Sequence, residues 1–313
     1  MILAVLISLL LVVPVFGQVK VTAAAGRIAV EIDGKPFTTF FIGPDAPKPY
    51  LHPLRTASGK VITRGYPMEN IEGEDRDHPH HRGLWFTHGI VNNLDFWANE
   101  PSQKGATGAK GKVVLKKVLE AKGGPKSGVI KAAFEWQDLN GKGLLTEDRT
   151  TIFYAGGASR TIDFDVTFTA LDQVKFGDTK EGMFAIRLVK SLEERQTGRM
   201  VSAEGAITEK GVWGKRSPWV DYAGEVAGER VGIAIFDHPS NPRHPTYWHS
   251  RAYGLFATNI FGVHDFERDK SKDGSLTLQK GEKLRFRYRV LIHPGDDQGA
   301  NIAGEFQKYA QTR

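Results

Sequence analysis

The sequence predicts an all-β protein, an antiparallel β-sandwich with a short C-terminal helix. From Gln18 onwards, apolar and polar residues alternate in many short stretches, and a period of two is typical of half-buried strands. The 35 glycines and 15 prolines, which follow no repeat, indicate many turns and few long helices. A chain of 313 residues that is 40% hydrophobic and 25% charged has the composition of a folded globular protein.

The first predicted hairpin turns at Asp33-Gly34, between apolar alternation over 28–32 and its continuation over 37–42. A second hairpin is predicted around Asn140-Gly141. Residues 113–122 fit both helical and strand spacing, and the glycine-rich turn that follows favours a strand. The other predicted strands are 129–136, 144–153, 161–169, 183–189, 219–222, 231–236, 253–257 and 284–292.

One helix is predicted, over residues 302–311. Phe306 and Tyr309 fall near one helical face, and Asp296 or Asp297 upstream could cap it. No Pro- or Ser-rich linker divides the chain, and the strand pattern continues without a change in composition. We therefore expect residues 18–313 to form a single domain of two packed sheets.

Residues 1–17 are predicted to be a signal peptide. Residues 2–13 are apolar, and Val15-Phe16-Gly17 is acceptable before a cleavage site at Gln18. The amino terminus is the only positive charge of this segment, so an uncleaved anchor is the alternative. In both cases the body of the protein is expected to be exported, to the periplasm or the cell exterior. No membrane span is expected after cleavage, because no other apolar run approaches the about 20 residues that a span needs.

The charge and cysteine content narrow the classes of function. The net charge is +6, but the basic residues are scattered, so we expect no nucleic-acid partner. The absence of cysteine excludes disulfides, thiol nucleophiles and cysteine metal ligands. Any metal would therefore bind to His, Asp or Glu. The sequence also contains no G-x-S-x-G nucleophile motif and no phosphate-binding P-loop.

The first polar segment, residues 70–97, contains four of the ten histidines within eleven positions, namely His78, His80, His81 and His88. Imidazole transfers protons near neutral pH or binds a metal in its neutral form. No cofactor is certain, but His78, His80 and His81 are candidate ligands of a divalent metal, with an acidic partner such as Glu72 or Asp77. The alternative is a structural loop in which these rings hydrogen-bond to carboxylates or to the backbone.

The second polar segment, residues 217–265, is also rich in His, Trp, Asp and Arg. Asp237 and His238 directly follow a predicted apolar strand, so a rigid scaffold would present them at a rim. The alternative is a proline-braced loop whose Asp and Arg residues pair with each other. Glu181 lies at another junction of polar and apolar residues, where it could be a catalytic carboxylate or part of a surface ion pair.

Together these residues suit a carbohydrate site, which needs carboxylate and imidazole for proton transfer, Arg and Asn for hydroxyl groups, and aromatic faces for the sugar ring. The expected partner is a small molecule or an oligosaccharide. The catalytic candidates are His80, His81, His88, Glu181, Asp237 and His249. The candidates for substrate binding are Arg82, Trp85, Trp97, Trp219, Asp221, His238, Asn241, Arg243, Trp248 and Arg251. Trp136 lies on a predicted strand and is expected in the core.

Several motifs of the chain resemble those of an uncharacterised bacterial family often labelled methane oxygenase PmoA. These motifs are His80–Gly89, Asp95-Phe96-Trp97, Glu181–Phe184, Asp237–Pro242 and Trp248-His249. The chain departs from the family pattern at Ile90, where an acidic residue is expected. The label conflicts with the sequence, because a membrane methane monooxygenase subunit has several spanning helices that the hydropathy excludes.

The resemblance implies a β-sandwich similar to the supersandwich of galactose mutarotases and glycosidases. In mutarotase-like sites a histidine protonates the ring oxygen and a carboxylate removes the anomeric hydroxyl proton. By this analogy, a histidine among residues 78–88 or His249 would be the acid, and Glu181 or Asp237 the base.

The expected function is that of an exported carbohydrate-active enzyme that acts on a sugar or an oxidised sugar by His/carboxylate chemistry. Hydrolysis, elimination and epimerisation all remain open. The alternatives are a non-catalytic carbohydrate-binding module and a metal-dependent hydrolase or oxygenase that uses the first histidine cluster. The catalytic hypothesis requires the two polar segments to meet in one pocket.

Overall fold

The computed structural model describes residues 17–313, so the predicted signal peptide lies outside the described residues except for Gly17. The chain forms two large antiparallel β-sheets. Their strands, with the two strands of a small third sheet, are β1 (Gln18–Ala24), β2 (Arg27–Ile32), β3 (Lys35–Phe41), β4 (Tyr50–His52), β5 (Leu84–His88), β6 (Gly111–Lys122), β7 (Gly124–Pro125), β8 (Ser127–Asp138), β9 (Gly143–Tyr154), β10 (Arg160–Ala170), β11 (Val174–Phe176), β12 (Gly182–Arg187), β13 (Arg199–Ser202), β14 (Trp219–Val226), β15 (Glu229–Asp237), β16 (Tyr247–Trp248), β17 (Leu255–Asn259), β18 (Leu276–Leu278) and β19 (Lys283–Pro294).

The nine-stranded sheet has the order β16-β17-β12-β5-β4-β3-β2-β1-β7. The eight-stranded sheet has the order β13-β14-β15-β19-β10-β9-β8-β6, and β11 pairs with β18. The predicted fold class, an antiparallel all-β sandwich, is confirmed. Residues 113–122, which the sequence left between helix and strand, lie in strand β6.

The core lies between the two large sheets and is built from the residues that alternate along the strands. On β10, every second side chain from Ile162 to Phe168 is buried. Phe168 stacks on Phe86 of the nine-stranded sheet with ring centroids 5.6 Å apart. Trp136 is fully buried, as predicted, and its indole N–H donates to Glu147 over 2.8 Å.

The outer face of the nine-stranded sheet carries a second row of large side chains. Because successive residues of a strand point to opposite faces, Leu84 and Phe86 face the core and Trp85 faces outwards. Residues directly opposite one another on adjacent strands extend this row on the outer face: Phe41, Tyr50, Trp85, Ala185 and Ala257. The two alanines leave room above the sheet for rings that come from the loops.

The described residues also form three short α-helices, at Thr208–Val212 (α1), Val263–Phe266 (α2) and Ile302–Ala310 (α3). The sequence predicted α3 to within one residue but did not predict α1 or α2. The proposed cap of α3 was wrong: the capping position is Asn301, while the Asp296 carboxylate accepts the backbone N–H of Gly299. None of the helices within residues 17–313 is long and apolar enough to cross a bilayer.

A buried pair, Asp221 and His293, joins β14 to β19 across β15. The His293 Nε2 atom lies 2.9 Å from Asp221 Oδ1, and both side chains are 1% exposed. Gly232 of β15 makes room for the ring, because a Cβ there would lie 2.1 Å from His293 Cε1. Burial opposes protonation of the imidazole, but the hydrogen bond and the negative charge of Asp221 outweigh it and raise the pKa of His293.

We expect the stabilising effect of this pair to depend on pH. A histidine with a raised folded-state pKa stabilises fully below its ordinary pKa of about 6.5, and this contribution is lost as the pH rises through the folded-state pKa. Asp221→Asn should lower the unfolding free energy by about 3 kcal/mol at pH 6, and by less at pH 9. Urea unfolding of both proteins measures the difference.

Asp165→Asn is the control, because Asp165 pairs with Arg285 on the surface of the same sheet. Asp165→Asn should lower the unfolding free energy by less than about 1 kcal/mol. If the loss of unfolding free energy in Asp221→Asn stays constant or grows between pH 6 and pH 9, the raised pKa of His293 is contradicted.

Candidate functional site

The two polar segments meet in one pocket of about 430 Å³ on the outer face of the nine-stranded sheet. Two larger cavities, of about 750 and 620 Å³, adjoin residues 43–47 and contain none of the catalytic candidates, although Arg82 lines the smaller one. The side chains that line the 430 Å³ pocket and bear on its chemistry are His78, His80, His81, Asp95, Trp97, Lys180, Glu181, His249, Arg251 and Tyr253.

Four aromatic rings form a stack along one side of the pocket. Tyr253, His78, His81 and Trp85 follow one another with centroid separations of 5.3, 4.7 and 5.2 Å. The rings of His78 and His81 lie face to face, whereas the ring of His80 meets both of them edge-on. Among residues 17–313, no group of three or more His, Asp or Glu residues is arranged to hold a metal ion.

A buried charge cluster holds the histidine segment against the sheet. Arg187 of β12 is fully buried and donates from Nη2 to Asp77 Oδ1 over 3.0 Å, and Arg64 contacts the same oxygen. His78 Nδ1 lies 2.7 Å from the other carboxylate oxygen. Burial opposes ionisation of Asp77, but His78 and the two guanidinium groups outweigh it and hold its pKa well below the usual range. Asp77 is therefore a permanent anion that ties the loop to β12.

Trp97 is placed at the base of the pocket by backbone hydrogen bonds. Asp95 Oδ1 accepts the N–H groups of Trp97 and Ala98, each over 2.8 Å. The ammonium group of the buried Lys48 donates to the Trp97 carbonyl over 2.6 Å. Burial lowers the pKa of Lys48 to about 7, and the charge of Glu100 only partly opposes this. The Asp95-Phe96-Trp97 motif is thus a turn that presents one indole.

The contacts of His81 determine which of its ring nitrogens carries the proton. Arg187 Nη1 lies 3.0 Å from His81 Nδ1. Arginine has no acceptor, so Nδ1 must accept and the proton of a neutral ring lies on Nε2. Burial, together with the positive charges nearby, holds the pKa of His81 well below its usual value. His81 is therefore a neutral ring that presents an Nε2–H group.

His249 is held in the same way by a different residue. The indole Nε1 of Trp213 donates to His249 Nδ1 over 3.0 Å, and an indole nitrogen can only donate. Burial, followed by the charges of Lys180 and Arg251, lowers the pKa of His249 to about 3. The proton of the neutral ring consequently lies on Nε2, which is 4.0 Å from Glu181 Oε2.

Glu181 is the carboxylate at the mouth of the pocket. Its side chain is 29% exposed and contacts the ammonium group of Lys180 through Oε1. Its carbonyl accepts the N–H of Gly89 over 2.7 Å, and a Cβ at position 89 would come within 2.9 Å of Glu181 Cβ. The Gly89 of the first histidine motif therefore makes room for the Glu181 of another motif.

Several candidates from the second polar segment lie outside the pocket. Asp237 is buried and accepts from Asn241 Nδ2 (2.7 Å), His244 Nδ1 (2.8 Å) and Thr246 N (2.9 Å). Arg243 donates to the backbone carbonyls of residues 260, 274 and 275. The prediction that Asp237, Asn241 and Arg243 act on a substrate does not fit these contacts, because their polar atoms already bind the protein.

Three other candidates also make their contacts within the protein and outside the pocket. His238 lies 2.7 Å from Ser240 Oγ and 3.1 Å from the carbonyl of Thr312. Trp219 packs in the cluster around α3, and Asp221 pairs with His293. These three residues lie away from the pocket because β14 and β15 belong to the eight-stranded sheet.

The remaining candidates lie beside or beneath the pocket rather than in it. His88 is buried and donates from Nε2 to the Gly177 carbonyl over 2.7 Å. Arg82 binds Glu100 through two contacts of 2.7 Å. The indole of Trp248 donates to the Ser217 carbonyl over 3.0 Å, and Trp85 lies under His81. The candidates that line the pocket are His78, His80, His81, Trp97, Glu181, His249 and Arg251.

The sequence analysis missed four residues of the site. Tyr253 and Lys180 line the pocket and lie within two positions of the predicted residues Arg251 and Glu181, which was the signal that could have identified them. Arg187 interrupts an apolar strand, which is a signal for a buried, paired charge. Trp213 had no signal, because its role arises only from its contact with His249.

Residues 27–307 match the family described as "Family of unknown function (DUF6807)". The chain belongs to this family. The description of DUF6807 states no activity, and the resemblance to proteins labelled methane oxygenase remains a prediction. A search of curated proteins found no matching relative.

Solved structures similar to this DUF6807 chain include a galactose mutarotase-like protein from Clostridium acetobutylicum, with 11% identity, a TM-score of 0.45, and coverage of 90% of this chain and 99% of the other. A galactose 1-epimerase from Lactobacillus acidophilus has 8% identity and a TM-score of 0.40, and covers 88% and 99% of the two chains. A GH36 α-galactosidase from Geobacillus stearothermophilus in complex with raffinose has 11% identity and a TM-score of 0.40 over 89% of this chain. The match spans only 40% of that α-galactosidase. Similarities at this level carry no argument about activity.

We expect Trp213→Phe to release the His249 ring from its single tautomer, because phenylalanine keeps an aromatic ring but has no N–H to donate to Nδ1. Long-range ¹H–¹⁵N spectra of the imidazole rings should show Nδ1 unprotonated and Nε2 protonated in the wild type, and a mixture of tautomers in the variant. Trp219→Phe, in a different cluster, should leave the His249 signals unchanged. A wild-type His249 protonated on Nδ1 would contradict the assignment.

Proposed function

We propose that this DUF6807 protein is a carbohydrate-active enzyme in which Glu181 is the base and His81 and His249 are neutral hydrogen-bond donors. The observation that carries the proposal is the meeting of the two polar segments in one pocket, where Glu181 Oε2 lies 4.0 Å from His249 Nε2. A carboxylate beside a fixed N–H group can remove a proton while the N–H binds an adjacent oxygen.

The proposed roles of the histidines differ from those implied by the mutarotase analogy. A histidine that protonates a sugar oxygen must first carry two protons, and the lowered pKa values of His81 and His249 oppose this. A neutral imidazole can still stabilise negative charge on an oxygen by donating a hydrogen bond, as in triosephosphate isomerase. Glu181 is then the group that accepts the proton.

The size and lining of the pocket support a sugar as the substrate. Its volume of about 430 Å³ lies within the about 300–1,000 Å³ of typical small-molecule sites. Tyr253, which is partly exposed in the pocket, provides aromatic surface for the C–H face of a ring. Lys180, Glu181 and Arg251 provide polar groups at the rim for hydroxyl groups.

We expect Glu181→Gln to lower the rate of turnover by about 10²- to 10⁴-fold, because an amide cannot accept the proton, while sugar binding changes little. The assay is a panel of free aldoses, nitrophenyl glycosides and uronate-containing oligosaccharides with the wild type and the variant. Glu267→Gln is the matched control, because Glu267 is similarly exposed (30%) and also contacts a lysine, Lys272. Undiminished turnover by Glu181→Gln would refute the proposal, and sugar binding without any turnover by the wild type would favour a non-catalytic module.

The role of His249 can be tested with two substitutions. The side-chain amide of glutamine can replace an Nε2–H donor but cannot transfer a proton. His249→Ala should lose about 10²-fold in kcat, whereas His249→Gln should retain activity within about tenfold of the wild type. If His249→Ala and His249→Gln lose kcat equally, and both have the melting temperature of the wild type, His249 instead transfers a proton.

A further inference from the structure

Three buried N–H groups, two on residues that line the pocket and one on Trp85 beneath it, have no hydrogen-bond partner among residues 17–313. They are Nε2 of His81, Nε1 of Trp85 and Nε1 of Trp97, on side chains no more than 1% exposed. A buried donor left without an acceptor costs about 1–3 kcal/mol. Buried polar groups in native proteins are nearly always paired with protein or with water, so three such donors in one place indicate an acceptor that residues 17–313 do not supply.

The three donors belong to rings that touch one another. The ring centroid of His81 is 5.2 Å from Trp85 and 5.9 Å from Trp97, and the two indoles are 5.0 Å apart. Indole nitrogens only donate, and the contact with Arg187 leaves His81 only a donor at Nε2. The group that fits there is a bare acceptor. A carbonyl oxygen is such a group, whereas a hydroxyl would bring a hydrogen atom of its own.

The protein acceptors at the base of the pocket already bind protein N–H groups. Asp95 lies in the lining, where its Oδ1 accepts two backbone N–H groups and its Oδ2 accepts the N–H of Ala106 over 2.6 Å. The carbonyl oxygen of Trp97 already accepts from Lys48. A hydroxyl group at the base of the pocket would therefore have to share an acceptor that already binds a protein N–H group, whereas a carbonyl group needs no acceptor.

The charges around the donors favour a neutral carbonyl over a carboxylate ligand. Four cations near the pocket already contact a carboxylate of the protein: Lys180 contacts Glu181, Arg251 Nε lies 2.9 Å from Glu209, and Arg187 and Arg64 share Asp77. A fifth, Lys48, donates to the Trp97 carbonyl and to Asn99 Oδ1. The donors themselves are uncharged. Such donors suit an oxygen that is neutral when bound and becomes negative during the reaction. Arg187, behind His81, favours that negative charge.

We propose that the pocket binds a sugar that carries a carbonyl group, with the carbonyl oxygen at His81 Nε2–H and Trp97 Nε1–H, and that Glu181 removes the proton from the adjacent carbon. The electron pair of the broken C–H bond forms a C=C bond, and the π pair of the carbonyl moves to the oxygen, giving an enolate. The Glu181 carboxyl, which is 29% exposed at the mouth of the pocket, exchanges this proton with solvent and then returns a proton to the same carbon, which restores the carbonyl. This proposal rests on the proposed function and narrows its substrate class.

The reaction exchanges the α-hydrogen with solvent, and this can be measured without knowledge of the natural substrate. The probes are methyl glucopyranosiduloses with the carbonyl at C2, C3 or C4. Methyl glucopyranoside is the matched control, because it has a hydroxyl in place of the carbonyl. In D₂O, the ¹H signal of the α-hydrogen of at least one ulose should disappear about 10²-fold faster with the wild type than with Glu181→Gln. It should exchange no hydrogen of the glucoside.

The affinity for the ulose tests the N–H donors of His81 and Trp97 separately from proton removal by Glu181. Calorimetry with wild-type protein should show at least tenfold tighter binding of that ulose than of the glucoside, and Glu181→Gln should keep this preference. Trp97→Phe, which retains a ring and loses the N–H, should reduce the preference. Equal affinity of the wild type for ulose and glucoside overturns the carbonyl assignment, and this measurement does not depend on the folding of any variant.

The outcomes separate the two proposals. If aldoses or glycosides are turned over in a Glu181-dependent way and no ulose exchanges deuterium, the carbonyl inference is wrong and the proposed function stands. If no probe of either panel is turned over, both proposals fail. Deuterium exchange that proceeds equally in Glu181→Gln overturns the assignment of the base.

Discussion

The structure of the pocket depends on one buried charge, the guanidinium group of Arg187. This side chain is fully buried within the nine-stranded sheet, and a buried charge without a partner would cost several kcal/mol. Its two terminal nitrogens bind Asp77 and Nδ1 of His81, each at 3.0 Å, and the group lies 4.7 Å from the centre of the Tyr253 ring. A single strand residue thus brings together the first polar segment and a ring of the second, and determines the tautomer of His81.

The electrostatics of the site give imidazole and carboxylate different tasks. Arg187 and Trp213 both donate to the Nδ1 atoms of the pocket histidines, and burial disfavours a second proton on either ring. Both rings are therefore fixed as donors before any ligand arrives, with no cost of reorientation during a reaction. Glu181, which is partly exposed beside Lys180, is the acceptor in this arrangement.

The conspicuous Asp237 motif supports the site from a distance. Asp237 accepts from His244 and from the N–H of Thr246, and it thereby fixes the loop that ends where β16 begins. His249 follows β16 directly and its N–H binds the carbonyl of Ala257 on β17. This loop, which is rich in His, Asp and Pro, therefore fixes the position of His249 without lining the pocket. Its composition resembles that of the site itself, so composition alone did not distinguish the two.

Short-range alternation in the sequence determined eleven of the strands, the faces of those strands that meet the core, and α3, because these depend on local periodicity. Strands β1, β4, β5, β7, β11, β13, β16 and β18 were not predicted. It also placed the polar residue types in two segments. Only the tertiary structure decided that His81, Glu181 and His249 share a pocket while Asp237 and Asp221 do not. That outcome depends on the strand order β16-β17-β12-β5, which pairs parts of the chain about a hundred residues apart. The proton positions of the two histidines depend on contacts with Arg187 and Trp213, and periodicity holds no information about such long-range partners.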